Sequence, residues 1–213
     1  MKIVNGYSQL DYNELKNFVS TTPLSEFTAQ APHPFLVGKD LYDGELKSKI
    51  GGALRGTSTM KFSAADFRRE ASSPPITFGE TTVDYPNSKH SQEKERQKIL
   101  QSFYMLRKKG AISHESSNSD VITIGRNGTN DIVIADKVVS NKHAQIHIRN
   151  GMYYIEDLHS TNGVKVDSLK VWSGKMVKLL LNSEISFGRL VFVFTPPLLV
   201  YRAMRKEIAE SEL

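Results

Sequence analysis

The alternation of apolar and polar positions changes character near residue 100. Beyond it, apolar side chains recur at the period of two that a one-sided strand requires, as in Ala144, Ile146 and Ile148 set between Gln145, His147 and Arg149. Asn150-Gly151 follows at once and Met152-Tyr153-Tyr154-Ile155-Glu156 resumes on the far side, which predicts a tight hairpin. Further runs at Phe103 to Leu106, Val121 to Ile124, Ile132 to Ile134, Val164 to Val166, Leu169 to Trp172, Met176 to Leu180, Glu184 to Phe187 and Leu190 to Phe194 complete the series. Their spacing of about 8 to 12 residues is that of a β-sandwich. Pro196-Pro197 closes it, and the last segment, with Leu199, Ala203 and Lys206 at helical spacing, predicts a C-terminal helix or linker.

Before residue 100 no apolar period is sustained. Breakers recur at Thr22-Pro23, Pro32-His33-Pro34, Gly51-Gly52 and Ser73-Pro74-Pro75. Short helices are predicted around Asp11 to Val19 and after Ser63, each needing a docking surface to be stable. A charged helix is predicted from Ser91 to Gln101, with Glu93, Glu95, Arg96 and Lys98 on a solvated face. The expected organisation is a largely irregular N-terminal extension over 1–100, an all-β domain over 101–196, and a helix or linker over 197–213.

Composition narrows the chemistry. The 213 residues include no cysteine, which removes disulfides, thiol nucleophiles and Cys-ligated metals. No run of apolar residues is long enough to span a bilayer and the N-terminus lacks a secretory core, so an intracellular protein without a membrane anchor is expected. The net charge of +5 is uneven, with 13 basic and 12 acidic side chains up to residue 100 and 15 and 11 after it. That excess falls short of a dedicated nucleic-acid binder.

Three polar clusters fall at the ends of predicted strands: Gly125-Arg126-Asn127, Ser140-Asn141-Lys142-His143 and His159-Ser160-Thr161-Asn162-Gly163. Together they offer a guanidinium, hydroxyls, side-chain amides and backbone N–H groups, with no carboxylate among them, a donor set suited to a phosphate dianion. Ser140, His143 and Asp157 are the residue types of a hydrolytic triad, but neither a G-x-S-x-G elbow nor an α/β pattern accompanies them. His143, His147 and His159 lack carboxylates at metal-binding spacing, so no metal or cofactor is expected.

On these three motifs, in this order, the sequence from about Phe103 to Phe194 resembles a forkhead-associated (FHA) domain, a phosphothreonine-binding β-sandwich. Asn130 to Ile134 fits the family's strand entry, and Asn182 to Gly188 stands where its Gly-Asp-x-Ile-x-x-Gly turn belongs. The resemblance implies that Arg126 and Ser140 bind phosphate oxygens, that Asn141 and Asn162 hold the peptide backbone, and that Thr161 meets the phosphate or the threonine methyl. Gly125, His143 and Gly163 are implied to support the loops. Asp167-Ser168 departs from the family's Asn-Gly turn, which puts that turn's geometry in question. Val138 stands where some members read the residue three beyond phosphothreonine, and being apolar it leaves that preference open.

The implied function is a non-catalytic phosphothreonine-peptide adaptor or scaffold, served by a Ser/Thr kinase. The alternatives are the regulatory region of a larger enzyme and a part of an RNA- or DNA-associated complex, with direct nucleic-acid contact not expected. The chain also holds a candidate ligand of its own. In Gly79-Glu80-Thr81-Thr82-Val83-Asp84-Tyr85, Thr81 has Asp84 three positions on, and Thr81 or Thr82 is the candidate phosphorylation site. The segment resembles the Glu-Thr-Thr tail of small actinobacterial FHA regulators. A flexible tether of about twenty residues spans roughly 25 Å and holds such a segment near millimolar effective concentration.

Overall fold

A computed structural model describes residues 3–41, 89–109 and 119–211. The helix expected after Ser63 and the candidate sites Thr81 and Thr82 lie outside the described residues. In chain order the elements are β1 (Gln9–Leu10), α1 (Tyr12–Thr21), α2 (Leu24–Gln30), β2 (Phe35–Leu41), α3 (Lys89–Leu100), β3 (Phe103–Met105), β4 (Ser119–Gly125), β5 (Ile132–Val133), β6 (Ala144–Arg149), β7 (Met152–Asp157), β8 (Val164–Val166), β9 (Leu169–Val171), β10 (Met176–Leu179), β11 (Glu184–Phe187), β12 (Leu190–Thr195) and α4 (Pro197–Ser211). The strands form a sandwich of two sheets, ordered β1-β3-β2-β12-β11-β8-β9 and β10-β7-β6-β4-β5.

Period-two alternation explains why the sheets face each other. Ile122, Ile124, Ile146 and Ile155 of the five-stranded sheet meet Val164, Ile185, Phe187, Phe192 and Phe194 of the seven-stranded one in a single buried core. Asn150 and Gly151, at φ 50° and 73°, make the predicted hairpin between β6 and β7. Asp167 and Ser168 also both take positive φ, 48° and 69°, so the β8–β9 turn keeps its tight form without glycine. The Asp167 carboxylate holds it by accepting from the Glu184 amide and the Ser183 hydroxyl, both at 2.8 Å.

The expected boundary at residue 101 needs correction. β2, from the N-terminal extension, lies inside the seven-stranded sheet, paired with β12 on one side and β3 on the other. Its side chains alternate between two cores, with Leu36 entering the sandwich interior and Phe35 the opposite face. β3 does the same, turning Tyr104 inward while Phe103 and Met105 face outward. That outer face is covered by α1, α2 and α4, which contribute Leu15, Val19, Phe27, Val200 and Met204 to a second core. The described part of the extension is thus folded structure.

Each helix has a local reason and a docking partner. Asp11 caps α1, its carboxylate accepting from the amides of Asn13 and Glu14. Pro23, read as a breaker in the sequence, stands at the N-cap of α2, where a missing N–H costs nothing. α4 docks through Val200 and Met204, and the Tyr201 hydroxyl donates to the Thr22 carbonyl at 2.9 Å. The buried face is therefore not the expected Leu199, Ala203 and Lys206 row: Leu199 is 39% exposed. α3 begins at Lys89 and packs on β2, where only a glycine fits, since a Cβ on Gly38 would fall 1.7 Å from the Ile99 carbonyl oxygen. Ion pairs from Glu95 to Arg189 and from Arg96 to Asp40 fix its polar side, so two of the four charges expected on a solvated face are engaged.

Candidate functional site

The three polar clusters meet at one end of the sandwich. β4 and β5 pair in parallel, so the chain between Gly125 and Ile132 must turn back tightly and project its tip beyond the sheet. Asn130 is buried under this tip and its amide nitrogen donates to the carbonyls of Asn127 and Asn141, each at 2.7 Å. The second loop is thereby drawn onto the first. Gly125 permits the approach: a Cβ there would sit 2.3 Å from the Asn141 carbonyl oxygen. The Arg126 amide donates to the Ser140 carbonyl at 2.9 Å, and its guanidinium to Asn141 Oδ1 at 3.3 Å.

His143 joins the second loop to the third. It is fully buried, and Nδ1 accepts from the Ser140 amide at 3.0 Å, which leaves Nε2 as the protonated nitrogen facing the Gly163 carbonyl at 3.2 Å. Burial holds the imidazole below its ordinary value of 6.5, outweighing the Gly163 carbonyl and the Asp157 charge, which act the other way. The neutral ring is the form these bonds require. Gly163, at φ 77°, supplies the turn that brings its carbonyl to the ring, and the same oxygen accepts from the Gly188 amide.

The Ser140 hydroxyl sits between the loops, accepting from the Thr161 amide at 3.0 Å and donating to Thr161 Oγ1 over a long 3.4 Å. Asn162 donates to the Val138 carbonyl at 2.8 Å. All five residues expected to contact a ligand, Arg126, Ser140, Asn141, Thr161 and Asn162, are therefore gathered by a chain of direct bonds. Arg126 and Asn162 are part-exposed, Asn141 and Thr161 exposed, and Lys142 adds a second exposed cation beside Asn141. A phosphate dianion placed on these tips would meet donors and positive charge without a carboxylate in the way.

The hydrolytic alternative has no geometry behind it. His143 meets the amide of Ser140, not its hydroxyl, and its other nitrogen is bonded to Gly163, so the ring is not placed to take the hydroxyl proton. Among the described residues no cluster of His, Asp or Glu could hold a metal ion, and no helix is long and apolar enough to cross a membrane. Val138 is fully buried, so its side chain packs beneath the loops and is not available to a ligand.

Two buried carboxylates shape the site in roles that the sequence analysis does not assign them. Asp131 accepts from the amide and hydroxyl of Thr123 and from the Lys109 amide, which fixes the root of the first loop. Asp157 accepts from the hydroxyls of Ser160 and Ser173, pinning the third loop and the β9–β10 turn to one residue. The sequence sets Asp131 in the strand entry and Asp157 among the triad-type residues, and neither setting announces these bonds.

Comparison with known proteins finds similarity over the part of the chain that carries these features. The FHA domain family model matches residues 122–188. The FHA domain-containing protein FhaB of Mycolicibacterium smegmatis is 33% identical over 75 residues, which are 35% of this chain and 47% of that protein. FhaB of Mycobacterium tuberculosis is 27% identical over 103 residues, covering 47% of this chain and 65% of that one. The chain thus spans between about half and two thirds of these relatives' lengths. Among solved structures, the FHA domain of the CT664 protein from Chlamydia trachomatis is 32% identical, covers 40% of this chain and 85% of its own, and superposes with a TM-score of 0.34.

Proposed function

We propose, from the match of residues 122–188 to the FHA domain family model, that the protein is a phosphothreonine-peptide reader that works as an adaptor or scaffold. The observation that carries this reading is the gathering of Arg126, Ser140, Asn141, Thr161 and Asn162 on three bonded loops. In it the Arg126 guanidinium and the Ser140 hydroxyl take the phosphate oxygens. The long Ser140–Thr161 hydroxyl bond is the one a phosphate oxygen replaces most readily. Asn141 and Asn162 hold the peptide backbone, and Thr161 meets the phosphate or the threonine methyl. No residue is assigned a catalytic role, and a Ser/Thr kinase inside the cell supplies the mark.

Charge-assisted hydrogen bonds to phosphate contribute on the order of 1.5 to 3 kcal/mol each. Arg126→Ala should therefore weaken a phosphothreonine peptide by about tenfold to a hundredfold. Calorimetric titration of wild type and Arg126→Ala with phosphorylated and unphosphorylated peptides tests this. Equal affinity for the two peptides, or for the two proteins, would end the proposal.

A finer reading adds a ligand in cis. Thr81, with Asp84 three positions on, is the candidate, and its phosphorylation would occupy the site and exclude partners. Small-angle scattering of the phosphorylated wild type and phosphorylated Arg126→Ala tests it. Identical dimensions would exclude the closed form. The domain serving as the regulatory part of a larger enzyme or of an RNA- or DNA-associated complex is the alternative setting for the same recognition.

A further inference from the structure

The first loop of the site is held by two segments that lie outside the family match. Gln9 and Leu10 pair with β3 of the seven-stranded sheet, while the Tyr7 carbonyl accepts at 3.2 Å from the Val133 amide of β5, the edge strand of the other sheet. Ser8, between them, is buried. Its hydroxyl donates to the Asp131 carbonyl and its own carbonyl accepts from the Met105 amide, both at 2.8 Å. Asn5 closes the turn, its Oδ1 accepting from the amides of Tyr7 and Gln9 at 2.9 and 3.0 Å. The backbone at Tyr7 is thus fixed in advance of any ligand.

Tyr7 is 50% exposed, and its ring stands against the tip of the first loop, 3.8 Å from where a Cβ on Gly128 would lie. Lys109 reaches the same tip from the chain after β3. Its ammonium donates to the Gly128 carbonyl at 2.7 Å and lies 5.6 Å from the centre of the Tyr7 ring. Tyr7, Lys109 and Gly128 therefore meet at one point. Gly128 is two residues from Arg126, which keeps their Cα atoms within about 7 Å. Of the three donors on the ammonium Gly128 takes one, and among the described residues no carboxylate pairs with the others.

The charge around this point has one sign. Residues 1–10 contain no acid, residues 103–109 hold Arg107, Lys108 and Lys109 and no acid, and Arg126 to Asn130 again hold none. Asp131, the next residue, is buried with both carboxylate oxygens engaged, one by the Lys109 amide and the other by the amide and hydroxyl of Thr123. An exposed, positioned cation on the loop that carries Arg126 calls for an anion on the same ligand.

We propose that Lys109, held in place by Tyr7, is a further contact of the receptor and takes the carboxylate of a Glu or Asp within four residues of the phosphothreonine. The inference rests on the phosphothreonine reading of the three loops. An extended peptide advances about 3.3 Å per residue, so the distance from Arg126 to the loop tip is spanned in a few residues. Lys109 is a specificity residue, and Tyr7 is a positioning residue whose ring face keeps the ammonium at the tip.

The test is calorimetric titration of the full-length protein with two phosphothreonine peptides, one carrying Glu at the second to fourth positions on either side and one carrying Gln there. Wild type should prefer the Glu peptide by about fivefold, the scale of an exposed ion pair. Lys109→Gln should abolish the preference and keep the affinity for the Gln peptide. Tyr7→Ala should reduce the preference, and Tyr7→Phe, which retains the ring face, should keep it. Lys206→Gln removes the same charge from an exposed position on α4 and should also keep it.

Equal affinity of wild type for the two peptides, or a preference that survives Lys109→Gln, would overturn this inference and leave the reader function standing wherever binding still needs the phosphate and Arg126. A loss in Lys109→Gln of the same size for both peptides would mean that Lys109 only braces the loop, and would overturn the inference likewise. Binding that ignores the phosphate and Arg126 would overturn the reader function and the inference with it.

Discussion

Replacing the N-terminal strand's two core side chains tests whether this strand is an integral part of the domain. Phe35 and Leu36 are adjacent in sequence, fully buried, and placed in different cores on opposite faces of one sheet. Truncating a buried Leu to Ala costs about 2 to 5 kcal/mol and a buried Phe about 3 to 5. Because the two do not share a cavity, the double variant should lose about 5 to 10 kcal/mol, most of the roughly 5 to 15 kcal/mol that stabilises an ordinary domain. With a urea slope of about 2 to 3 kcal/mol/M, Leu36→Ala alone should lower the midpoint by about 1 M or more. Far-UV circular dichroism in urea reads this out. An unchanged midpoint for Leu36→Ala would mean that the strand does not pack inside the sandwich, and the domain would then begin near residue 101.

Three other positions carry expected outcomes of their own. Ser168→Gly, at φ 69°, should raise stability by about 1 kcal/mol by removing a left-handed serine, read as a rise of a few degrees in melting temperature; a fall would contradict the turn. Gly125→Ala should abolish phosphopeptide binding and lower stability, because the new methyl collides with the Asn141 carbonyl 2.3 Å away; calorimetry showing wild-type affinity would refute the loop geometry. Since His143 is held below its ordinary 6.5, the unfolded chain takes up a proton near that pH that the folded chain refuses. Stability should be full above about 6.5 and fall as pH drops through the window down to the folded-state value, a loss smaller in His143→Gln; melting curves of equal pH slope for both proteins would exclude this role.

Much of the candidate site was legible in the sequence because its residues are local. Ser140 and His143 are bonded across one turn, and Asn150-Gly151 and Asn162-Gly163 announce their turns by the backbone they permit. Each of these features needs only a few neighbouring residues to exist. The seven-stranded sheet was illegible for the opposite reason. β2 pairs with strands that lie far along the chain, and the run FLVGKDL carries a glycine that makes sense only beside the Ile99 carbonyl. Its two buried faces also erase the apolar–polar alternation by which a one-sided strand is read. α2 was hidden by Pro23, because a proline starts a helix or breaks one according to the docking surface open to the residues after it. Asp157 was hidden by a role that needs two loops at once.

The central claim is that three loops at one end of the sandwich form a single phosphothreonine receptor, and amide chemical shifts test it most directly. In a ¹⁵N-labelled sample titrated with a phosphothreonine peptide, the largest changes should fall on Arg126, Ser140 to Lys142 and Thr161 to Gly163, whose amides line or brace the loop tips. The unphosphorylated peptide should leave them in place. Changes that ignore the phosphate, or that gather elsewhere while these amides stay still, would contradict the account.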